Sequence, residues 1–310
     1  MIKKNSKIFV AGHKGMVGSS IIRILHKKSF KNILTVDKKR INLLDQSKTF
    51  NFLQKNKPEM VIIAAARVGG INANNSHKAS FIYENLQIQN NLIHGSYLAG
   101  VKKLIFLGSS CIYPRDCKQP IKEEYLLTGP LELTNEPYAI AKIAGLKMCD
   151  YYNQQYGTNY LCLMPCNLYG LNDNYDLSNS HFIPALIRKI NYAKDNNIKE
   201  VILWGDGTPR RELMYVDDLA KACFHFMNMN TQETLINVGS NEEYTINQFA
   251  KKISKLIGYK GTIKFDKSMP NGTPRKLLNT KILKKYKFTS FKKFDDGIKL
   301  VYQSYKTSYL

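Results

Sequence analysis

Tyr138 and Lys142 are the residues of this sequence that most clearly suggest acid–base chemistry. They lie four residues apart in the segment EPYAIAKIAG, which predicts a helix, so both side chains would share one helix face. A lysine ammonium beside a phenol favours the phenolate and lowers the tyrosine pKa from about 10. Such a tyrosine can give a proton to a carbonyl oxygen while hydride arrives at the carbon. The same spacing also occurs by chance on exposed helix faces, so other motifs are needed to distinguish the two interpretations.

Cys111 is a second candidate for chemistry. It lies in LGSSCIYP, directly after the apolar run KKLIF, which predicts a buried strand that opens into a loop. A free cysteine is most often a small buried hydrophobic residue. A thiol with a pKa near 8.5 can also exchange protons at neutral pH. Ser109 and Ser110 stand at the same strand end, where either hydroxyl could hydrogen-bond a substrate carbonyl oxygen.

Three glycines follow the first predicted strand and precede a segment with helical apolar spacing. They are Gly12, Gly15 and Gly18, in VAGHKGMVGSS. Glycines at this point let the backbone approach a dinucleotide pyrophosphate, and the helix N-terminus offers unpaired N–H groups. The position within a strand–turn–helix unit predicts a dinucleotide site, whereas a tight turn without a ligand is the alternative.

The end of the second predicted strand bears on which dinucleotide binds. We expect this strand to end at Asp37, where a carboxylate would bind a ribose 2′-hydroxyl and indicate NAD. Lys14, Lys38, Lys39 and Arg40 could instead pair with the additional phosphate of NADP. The residues favour NADP(H) and leave NAD open.

The elements that must position these residues alternate between short apolar strands and helical segments. Alternation of this kind predicts a doubly wound parallel sheet of the Rossmann type with helices on both faces. After about residue 167, shorter elements joined by Gly, Pro and Asn predict a smaller interleaved α/β domain. We expect a cofactor domain of residues 1–167 plus about 201–240, and a substrate domain of about 168–200 plus 241–310.

Composition restricts the remaining function classes. The chain has 310 residues and a formal net charge of +22, but its lysines are scattered, so we expect no nucleic-acid partner. No apolar run reaches the roughly 18 residues that cross a bilayer, and the short apolar start fits a strand better than a signal peptide. We therefore expect a cytoplasmic protein without a membrane partner. Its six cysteines form no C-x-x-C pair and its histidines complete no zinc pattern, which predicts free thiols and no metal.

Together these motifs resemble the extended short-chain dehydrogenase/reductases that act on nucleotide sugars. The resemblance is closest, nearly end to end, to the GDP-L-fucose synthase family, the GDP-4-keto-6-deoxy-D-mannose 3,5-epimerase/4-reductases. The segments that carry it are AGHKGMVGS, AAARVGGINANN, LGSSCIYP, NEPYAIAKIAG, NLYG, SNSHFIPALIRK and DGTPRRELMYVDD. The resemblance implies a homodimer that uses NADPH to convert GDP-4-keto-6-deoxy-D-mannose into GDP-L-fucose.

The resemblance also implies site residues. It implies reduction by Ser109, Tyr138 and Lys142, and proton exchange at C3 and C5 by Cys111 as base and His181 as acid. The implied cofactor contacts are Gly12, His13, Lys14, Gly15, Met16, Val17, Gly18, Lys38, Arg40, Leu43, Leu107, Gly108, Ser109, Ser110, Lys142, Pro165, Cys166, Asn167, Leu168 and His181. The implied substrate contacts are Lys189, Trp204, Arg211 and Asn271. His181 could instead only begin a helix, and Trp204 could be an ordinary core residue.

Two departures from the family pattern leave alternatives open. TVDKKR places Asp37 in a segment that is typically Arg-rich, and Asn271 stands where the family has an aspartate. One alternative is a C4 reductase, with or without epimerisation, of a related GDP-4-keto sugar such as a 6-deoxyheptose. The presence of both Cys111 and His181 argues against a loss of epimerisation. A more distant alternative is a non-catalytic nucleotide-sensing module, which would have no reason to hold a serine, a tyrosine and a lysine together.

Overall fold

A parallel sheet of six strands lies at the centre of the fold. The computed structural model describes residues 1–177, 180–269 and 271–309 without the side chains of residues 71 and 72, so part of the SNSHFIPALIRK motif lies outside it. The strands of the sheet are β1 (Ile8–Ala11), β2 (Ile33–Leu34), β3 (Met60–Ile63), β4 (Lys103–Leu107), β5 (Asn159–Pro165) and β9 (Leu235–Val238). They pair in the order β2-β1-β3-β4-β5-β9, and every pair is parallel.

Helices flank this sheet in two groups. The helices of the described chain are α1 (Met16–Lys27), α2 (Gln46–Asn56), α3 (Ile71–Ser76), α4 (Lys78–Leu98), α5 (Glu136–Tyr156), α6 (Phe182–Asp195), α7 (Val216–Phe226), α8 (Ile246–Ile257), α9 (Lys281–Lys285) and α10 (Phe294–Tyr309). Helix α1 packs against α7, while α4 packs against both α2 and α5. The predicted doubly wound α/β sheet is confirmed.

The sequence explains the buried strands and the boundaries of α5. Every residue of β1 and of β3 is apolar and buried, as expected for parallel strands covered on both faces. Helix α5 has Pro137 in its first turn, where a missing N–H does no harm. It ends before Gly157, whose φ of +63° is the left-handed conformation that ends many helices.

The second strand is shorter than predicted. Only Ile33 and Leu34 pair with β1, so the prediction that this strand extends to Asp37 is wrong. The strand lies at the sheet edge and is only partly buried, so less packing holds its end in register. Asp37 instead lies in the irregular segment that follows. It faces the turn between β1 and α1 that contains Gly12 and Gly15, here called the glycine turn.

A second apolar cluster lies outside the main sheet. The remaining strands are β6 (Asn167–Tyr169), β7 (Glu200–Trp204), β8 (Arg210–Tyr215), β10 (Glu243–Thr245), β11 (Thr262–Asp266) and β12 (Arg275–Lys276). This cluster combines residues of α6, α8 and α10 with residues of β7 and β8. Val201 and Leu203, which the predicted boundaries place in the cofactor domain, pack here because β7 pairs with β11. Our exact division into two domains stays a prediction.

Glu212 on β8 joins three segments of the fold. Glu212 is only 1% exposed to solvent. Its carboxylate accepts hydrogen bonds from the backbone N–H of Asn241 at 2.6 Å and of Leu278 at 3.0 Å. Burial raises the pKa of Glu212 to about 7, although these donors oppose the shift.

We expect Glu212→Ala to lower the free energy of unfolding by about 2–3 kcal/mol, because two N–H groups lose their acceptor. The pKa is raised in the folded state, so this carboxyl contributes most below its ordinary pKa of 4.5, and that contribution is lost as the pH rises through about 7. Urea unfolding at about pH 5 and about pH 8 should therefore show the larger loss at the lower pH. The exposed Glu200→Ala is the control, and a larger loss for Glu212→Ala at the higher pH would contradict this account.

Candidate active site

The glycine turn lies where the strand order reverses. Strand β1 pairs with β2 on one side and β3 on the other. In open α/β sheets this reversal leaves a crevice at the carboxyl ends of the strands, and ligands bind there. Gly12 has a φ of +86°, and a Cβ there would lie 2.7 Å from the backbone nitrogen of Ala65. A Cβ on Gly18 would lie 2.1 Å from the carbonyl oxygen of Gly12. Both positions therefore require glycine.

The start of α1 suits a bound phosphate. Gly15 precedes the helix without a side-chain cap, and the first turn contains no acidic residue. Met16 and Val17 form that first turn, and their backbone N–H groups have no partner within the helix. The residues present therefore fit a dinucleotide pyrophosphate at this turn.

Asp37 faces the glycine turn and is neutralised there. Its Oδ1 lies 2.6 Å from Lys14 Nζ and 3.4 Å from His13 Nε2. The hydrogen bond from Lys14 lowers the pKa of Asp37. Lys38 and Arg40 are exposed and form no ion pair within the described residues. Lys38 and Arg40 are therefore available to bind a phosphate group, whereas the Asp37 carboxylate already pairs with Lys14.

Lys142 is fixed at the carboxyl end of β4. It is 3% exposed, and its Nζ donates a hydrogen bond to the carbonyl oxygen of Leu107 at 2.9 Å. The same nitrogen lies 5.7 Å from the centre of the Tyr138 ring, so the two side chains do share one face of α5. Burial lowers the pKa of Lys142 to about 8.

The expected effect of Lys142 on the tyrosine pKa is wrong. Burial raises the pKa of Tyr138 above its usual value, and the neighbouring Cys111 adds to the shift. Removal of the phenol from water penalises the phenolate, and this penalty is the main cause of the shift. Tyr138 is therefore a neutral phenol at neutral pH, which is the form that can donate a proton.

Cys111 lies in a short 3-10 helix, Ser110–Ile112, directly after β4. It is 7% exposed, and burial raises the pKa of its thiol. The Ser109 side chain and the charges of Lys276 and Lys142 oppose this shift. The structure thus brings Ser109, Cys111, Tyr138 and Lys142 together at one strand end.

His181 belongs to a different part of the fold from Cys111 and Tyr138. It precedes α6, which packs in the second apolar cluster, and its side chain is exposed. The nearby Asp173 is buried, and its Oδ2 has no hydrogen-bond partner within the described residues. Burial raises the pKa of Asp173, and the charge of His181 opposes that shift. The approach of His181 to Cys111 stays a prediction.

Three of the four substrate candidates lie close together. Asn271 Oδ1 accepts a hydrogen bond from the Asp206 N–H at 2.8 Å, so Asn271 holds the turn that follows Trp204. Trp204 is 60% exposed, which excludes its interpretation as a core residue. A Cβ on Gly272 would lie 3.5 Å from Arg211 Nη2, so Arg211 lies beside the same segment.

Two of the substrate candidates, Arg211 and Lys189, are cations. The Arg211 guanidinium is partly buried, which lowers its pKa, and Nη1 donates to the carbonyl oxygen of Arg210 at 2.8 Å. Lys189 lies on α6 and is also partly buried. Neither residue forms an ion pair within the described chain. No described contact joins Lys189 to the other three candidates.

The other predicted cofactor contacts lie at the same sheet edge or on the segment after β2. A Cβ on Gly108 would lie 2.0 Å from Met164 Sδ, so a larger residue here would displace the end of the Met164 side chain on β5. Pro165 ends β5, the buried Cys166 links it to β6, and β6 begins with Asn167 and Leu168. Leu43 accepts a hydrogen bond at its carbonyl from Asn91 Nδ2 at 2.8 Å.

Two side chains at the site were not predicted from sequence. Asp173 is buried near His181, and the charge of Lys276 lowers the pKa of the Cys111 thiol. In the segment PNGTPRK the sequence indicated a role only for Asn271, because no spacing pattern relates Lys276 to the distant Cys111. Within the ranges 1–177, 180–269 and 271–309, no group of His, Cys, Asp or Glu could hold a metal ion. No helix of those ranges is long and apolar enough to cross a membrane.

Comparison with known proteins places the chain among nucleotide-sugar enzymes. Residues 8–239 match the model of the NAD dependent epimerase/dehydratase family. GDP-L-fucose synthase of Escherichia coli strain K12 is 50% identical over 282 residues, which cover 88% of both chains. GDP-L-fucose synthase 1 of Arabidopsis thaliana is 47% identical over 305 residues, covering 98% of this chain and 94% of that protein.

Solved structures give the same fold over the full length. The structure of MlghC, a GDP-mannoheptose C4 reductase from Campylobacter jejuni with NADP bound, matches with a TM-score of 0.91 at 37% identity. The match covers 99% of this chain and 100% of that chain.

Proposed function

The chain belongs to the NAD dependent epimerase/dehydratase family, and on that basis we propose that it converts GDP-4-keto-6-deoxy-D-mannose into GDP-L-fucose with NADPH. The enzyme would invert C3 and C5 and then reduce C4. The observation that carries the proposal is the cluster of Ser109, Cys111, Tyr138 and Lys142 at the end of β4. The similarity to GDP-L-fucose synthases supports the choice of substrate.

The residues of the glycine turn would hold the cofactor. Gly12 and Gly18 leave room for the pyrophosphate beside the N-terminus of α1, and Lys14, Lys38 and Arg40 would meet the 2′-phosphate. When bound, NADPH supplies the hydride that reduces C4.

Epimerisation would use the acidity that a ketone at C4 confers on its neighbours. The Cys111 thiolate would remove a proton from C3 or C5, and His181 would return one on the opposite face. Tyr138 and Ser109 would hydrogen-bond the oxygen on which the negative charge develops. In the reduction step, the neutral phenol of Tyr138 would give its proton to this oxygen, with Lys142 held in place by Leu107.

The remaining residues would hold the nucleotide part of the substrate. Arg211 and Lys189 are partly buried cations without carboxylate partners among the described residues, as suits a diphosphate. The exposed Trp204 offers a face to the guanine or the sugar. Asn271 would act by holding the turn beside Trp204.

A second candidate is C4 reduction, with or without epimerisation, of a related GDP-4-keto sugar such as a 6-deoxyheptose. Asn271 favours it, because an amide replaces the family's carboxylate in the region of the sugar nucleotide contacts. A GDP-mannoheptose C4 reductase is also among the similar structures.

Product analysis decides between these functions. Purified protein is incubated with GDP-4-keto-6-deoxymannose and NADPH or NADH, and the sugar product is identified by NMR. The proposal expects GDP-L-fucose. A sugar reduced at C4 with C3 and C5 unchanged would favour the second candidate, and absence of any reduction would contradict the proposed substrate.

We also propose a cytoplasmic homodimer. Exposed aromatic and aliphatic side chains occur on the adjacent helices α4 and α5, namely Tyr83, Leu98, Tyr151 and Tyr156. Such a surface suits burial against a second copy. The six cysteines are free thiols, as in a reducing compartment.

The preference between the two cofactors should depend on Asp37. We expect Asp37→Asn to raise the preference for NADPH over NADH roughly tenfold, because a negative charge no longer faces the 2′-phosphate and Lys14 is released to bind it. The ratio of kcat/KM for the two cofactors measures this. Asp116→Asn, which changes an exposed aspartate elsewhere, should leave the ratio unchanged. An unchanged ratio in Asp37→Asn would contradict the assignment.

A further inference from the structure

The segment that joins β4 to α5, residues 108–135, carries Cys111 and is here called the β4–α5 loop. Its short 3-10 helix ends at Ile112, and the next residue, Tyr113, is buried. The Tyr113 hydroxyl donates a hydrogen bond to Asn237 Oδ1 at 2.6 Å. This bond therefore fixes the chain two residues after Cys111.

Asn237 is a fully buried residue of β9, the last strand in the order of the parallel sheet. Its Nδ2 donates a hydrogen bond to the carbonyl oxygen of Ile121 at 3.0 Å, and its backbone N–H donates to Glu123 Oε1 at 2.9 Å. With the bond from Tyr113, Asn237 binds the β4–α5 loop at three points. Buried hydrogen bonds of this kind favour a single conformation, because breaking one leaves a polar group without a partner.

The β4–α5 loop is also bound to the strand of Arg211. The N–H of Ile121 donates to the carbonyl oxygen of Leu277 at 2.7 Å, and the carbonyl oxygen of Ile121 accepts from the N–H of Asn279 at 2.7 Å. Leu277 directly follows β12, which pairs with β8 at Arg211. The Ile121 carbonyl oxygen is thus shared by Asn237 and Asn279, so Asn237 takes part in the connection between the loop and the proposed substrate side of the site.

These contacts bear on Cys111 and not on the pair that would reduce C4. Tyr138 and Lys142 lie on α5, and Lys142 is held by the carbonyl oxygen of Leu107 at the end of β4. None of the hydrogen bonds of Asn237 given above involves α5. The thiol and the phenol therefore have separate anchors in the fold.

We propose that Asn237 is a positioning residue that holds Cys111 at the carbon from which it removes a proton. It acts through Tyr113 and the β4–α5 loop, and not on the substrate itself. The role rests on the proposed function and adds to it that epimerisation and reduction depend on different anchors. Misplacement of a reacting group by about 1 Å can slow a reaction about a hundredfold, so a loosened loop would slow proton removal.

The ratio of two products in Tyr113→Phe tests the proposal. The holoenzyme is incubated with GDP-4-keto-6-deoxymannose and NADPH, and NMR compares the C4-reduced sugar of unchanged C3 and C5 configuration with GDP-L-fucose. Phenylalanine keeps the ring and removes only the hydroxyl that binds Asn237. We expect the share of unepimerised product relative to GDP-L-fucose to rise at least roughly tenfold, because Cys111 is displaced while α5 still holds Tyr138 and Lys142. An unchanged ratio would overturn the proposal.

A matched variant separates positioning from a general loss of stability. Tyr160 is a buried tyrosine near the start of β5, and its hydroxyl donates to the carbonyl oxygen of Val101 at 2.9 Å. Tyr160→Phe loses a hydrogen bond of the same kind at the other end of the sheet and should leave the product ratio unchanged. Loss of folded enzyme lowers both products together. An equal rise of the ratio in Tyr160→Phe would therefore contradict a specific role of Asn237.

Asn237→Ala should have the larger effect, a rise of the ratio by roughly a hundredfold, because both side-chain hydrogen bonds to the loop are removed. Adding Tyr113→Phe to Asn237→Ala should change the ratio no further, since the partner of the hydroxyl is already absent. Additive effects would show that the two residues act independently and would overturn the proposal. If Asn237→Ala does not fold, Tyr113→Phe alone decides.

Hydrogen–deuterium exchange tests the same contacts without any sugar. Exchange in the NADPH-bound protein is followed by mass spectrometry, and peptides that contain Ile121 should exchange faster in Tyr113→Phe than in the wild type. Peptides of α5 should exchange as in the wild type. Unchanged exchange at Ile121 would overturn the proposal. Absence of GDP-L-fucose from the wild-type reaction would contradict the proposed function instead, and hydrogen exchange would still decide whether Asn237 holds the loop.

Discussion

Tyr138→Phe should lower the rate of C4 reduction at least roughly a thousandfold while it still binds NADPH, because a positioned general acid accelerates a reaction by about this factor. Burial raises the pKa of the phenol, so its hydroxyl keeps its proton, and the ring lies on the face of α5 that carries Lys142. Phenylalanine removes this proton and retains the ring. The hydroxyl forms no hydrogen bond within the described residues, so its removal leaves no protein group without a partner.

Three measurements on Tyr138→Phe separate its role from structural damage. NADPH oxidation measures reduction, fluorescence titration measures cofactor binding, and deuterium incorporation at C3 and C5 measures proton exchange. Exchange should slow but persist, because Cys111 remains and Ser109 can still hydrogen-bond the C4 oxygen. Tyr151→Phe changes an exposed tyrosine of the same helix and should behave as the wild type. Turnover of Tyr138→Phe at the wild-type rate would remove the mechanism.

The strand and helix pattern predicted the fold because it depends on local sequence. Apolar runs such as KKLIF predicted strands of the parallel sheet, and the position of EPYAIAKIAG predicted that Tyr138 and Lys142 share a face of α5. The glycine turn was predicted for the same reason, since a strand, a turn and a helix lie within one short segment.

Features that depend on contacts across the fold could not be predicted in this way. The pairing of Asp37 with Lys14 requires β2 to end early and bend toward the glycine turn. The effect of Lys276 on Cys111 requires β12 to pair with β8, from a distant part of the chain. The pKa of Tyr138 depends on a balance between burial and charge that sequence spacing does not contain.

The second large effect is expected for Cys111→Ser, which should reduce deuterium incorporation at C3 and C5 at least roughly a hundredfold in D2O. A serine hydroxyl is far less acidic than a thiol, so it supplies no base at neutral pH. The substitution is close to isosteric, so it should leave the packing around residue 111 unchanged. Cofactor binding should stay unchanged, because the glycine turn lies after β1 and Cys111 is not among the predicted cofactor contacts.

The product of Cys111→Ser distinguishes loss of the base from loss of the whole site. Tyr138 and Lys142 remain, so hydride and proton can still reach C4, and the expected product is a C4-reduced sugar with the original configuration at C3 and C5. Cys117→Ser is the matched control, since Cys117 is a second free thiol, on the loop that follows Cys111. Exchange at the wild-type rate in Cys111→Ser would show that another group removes the proton. In that case the buried thiol would be a packing residue.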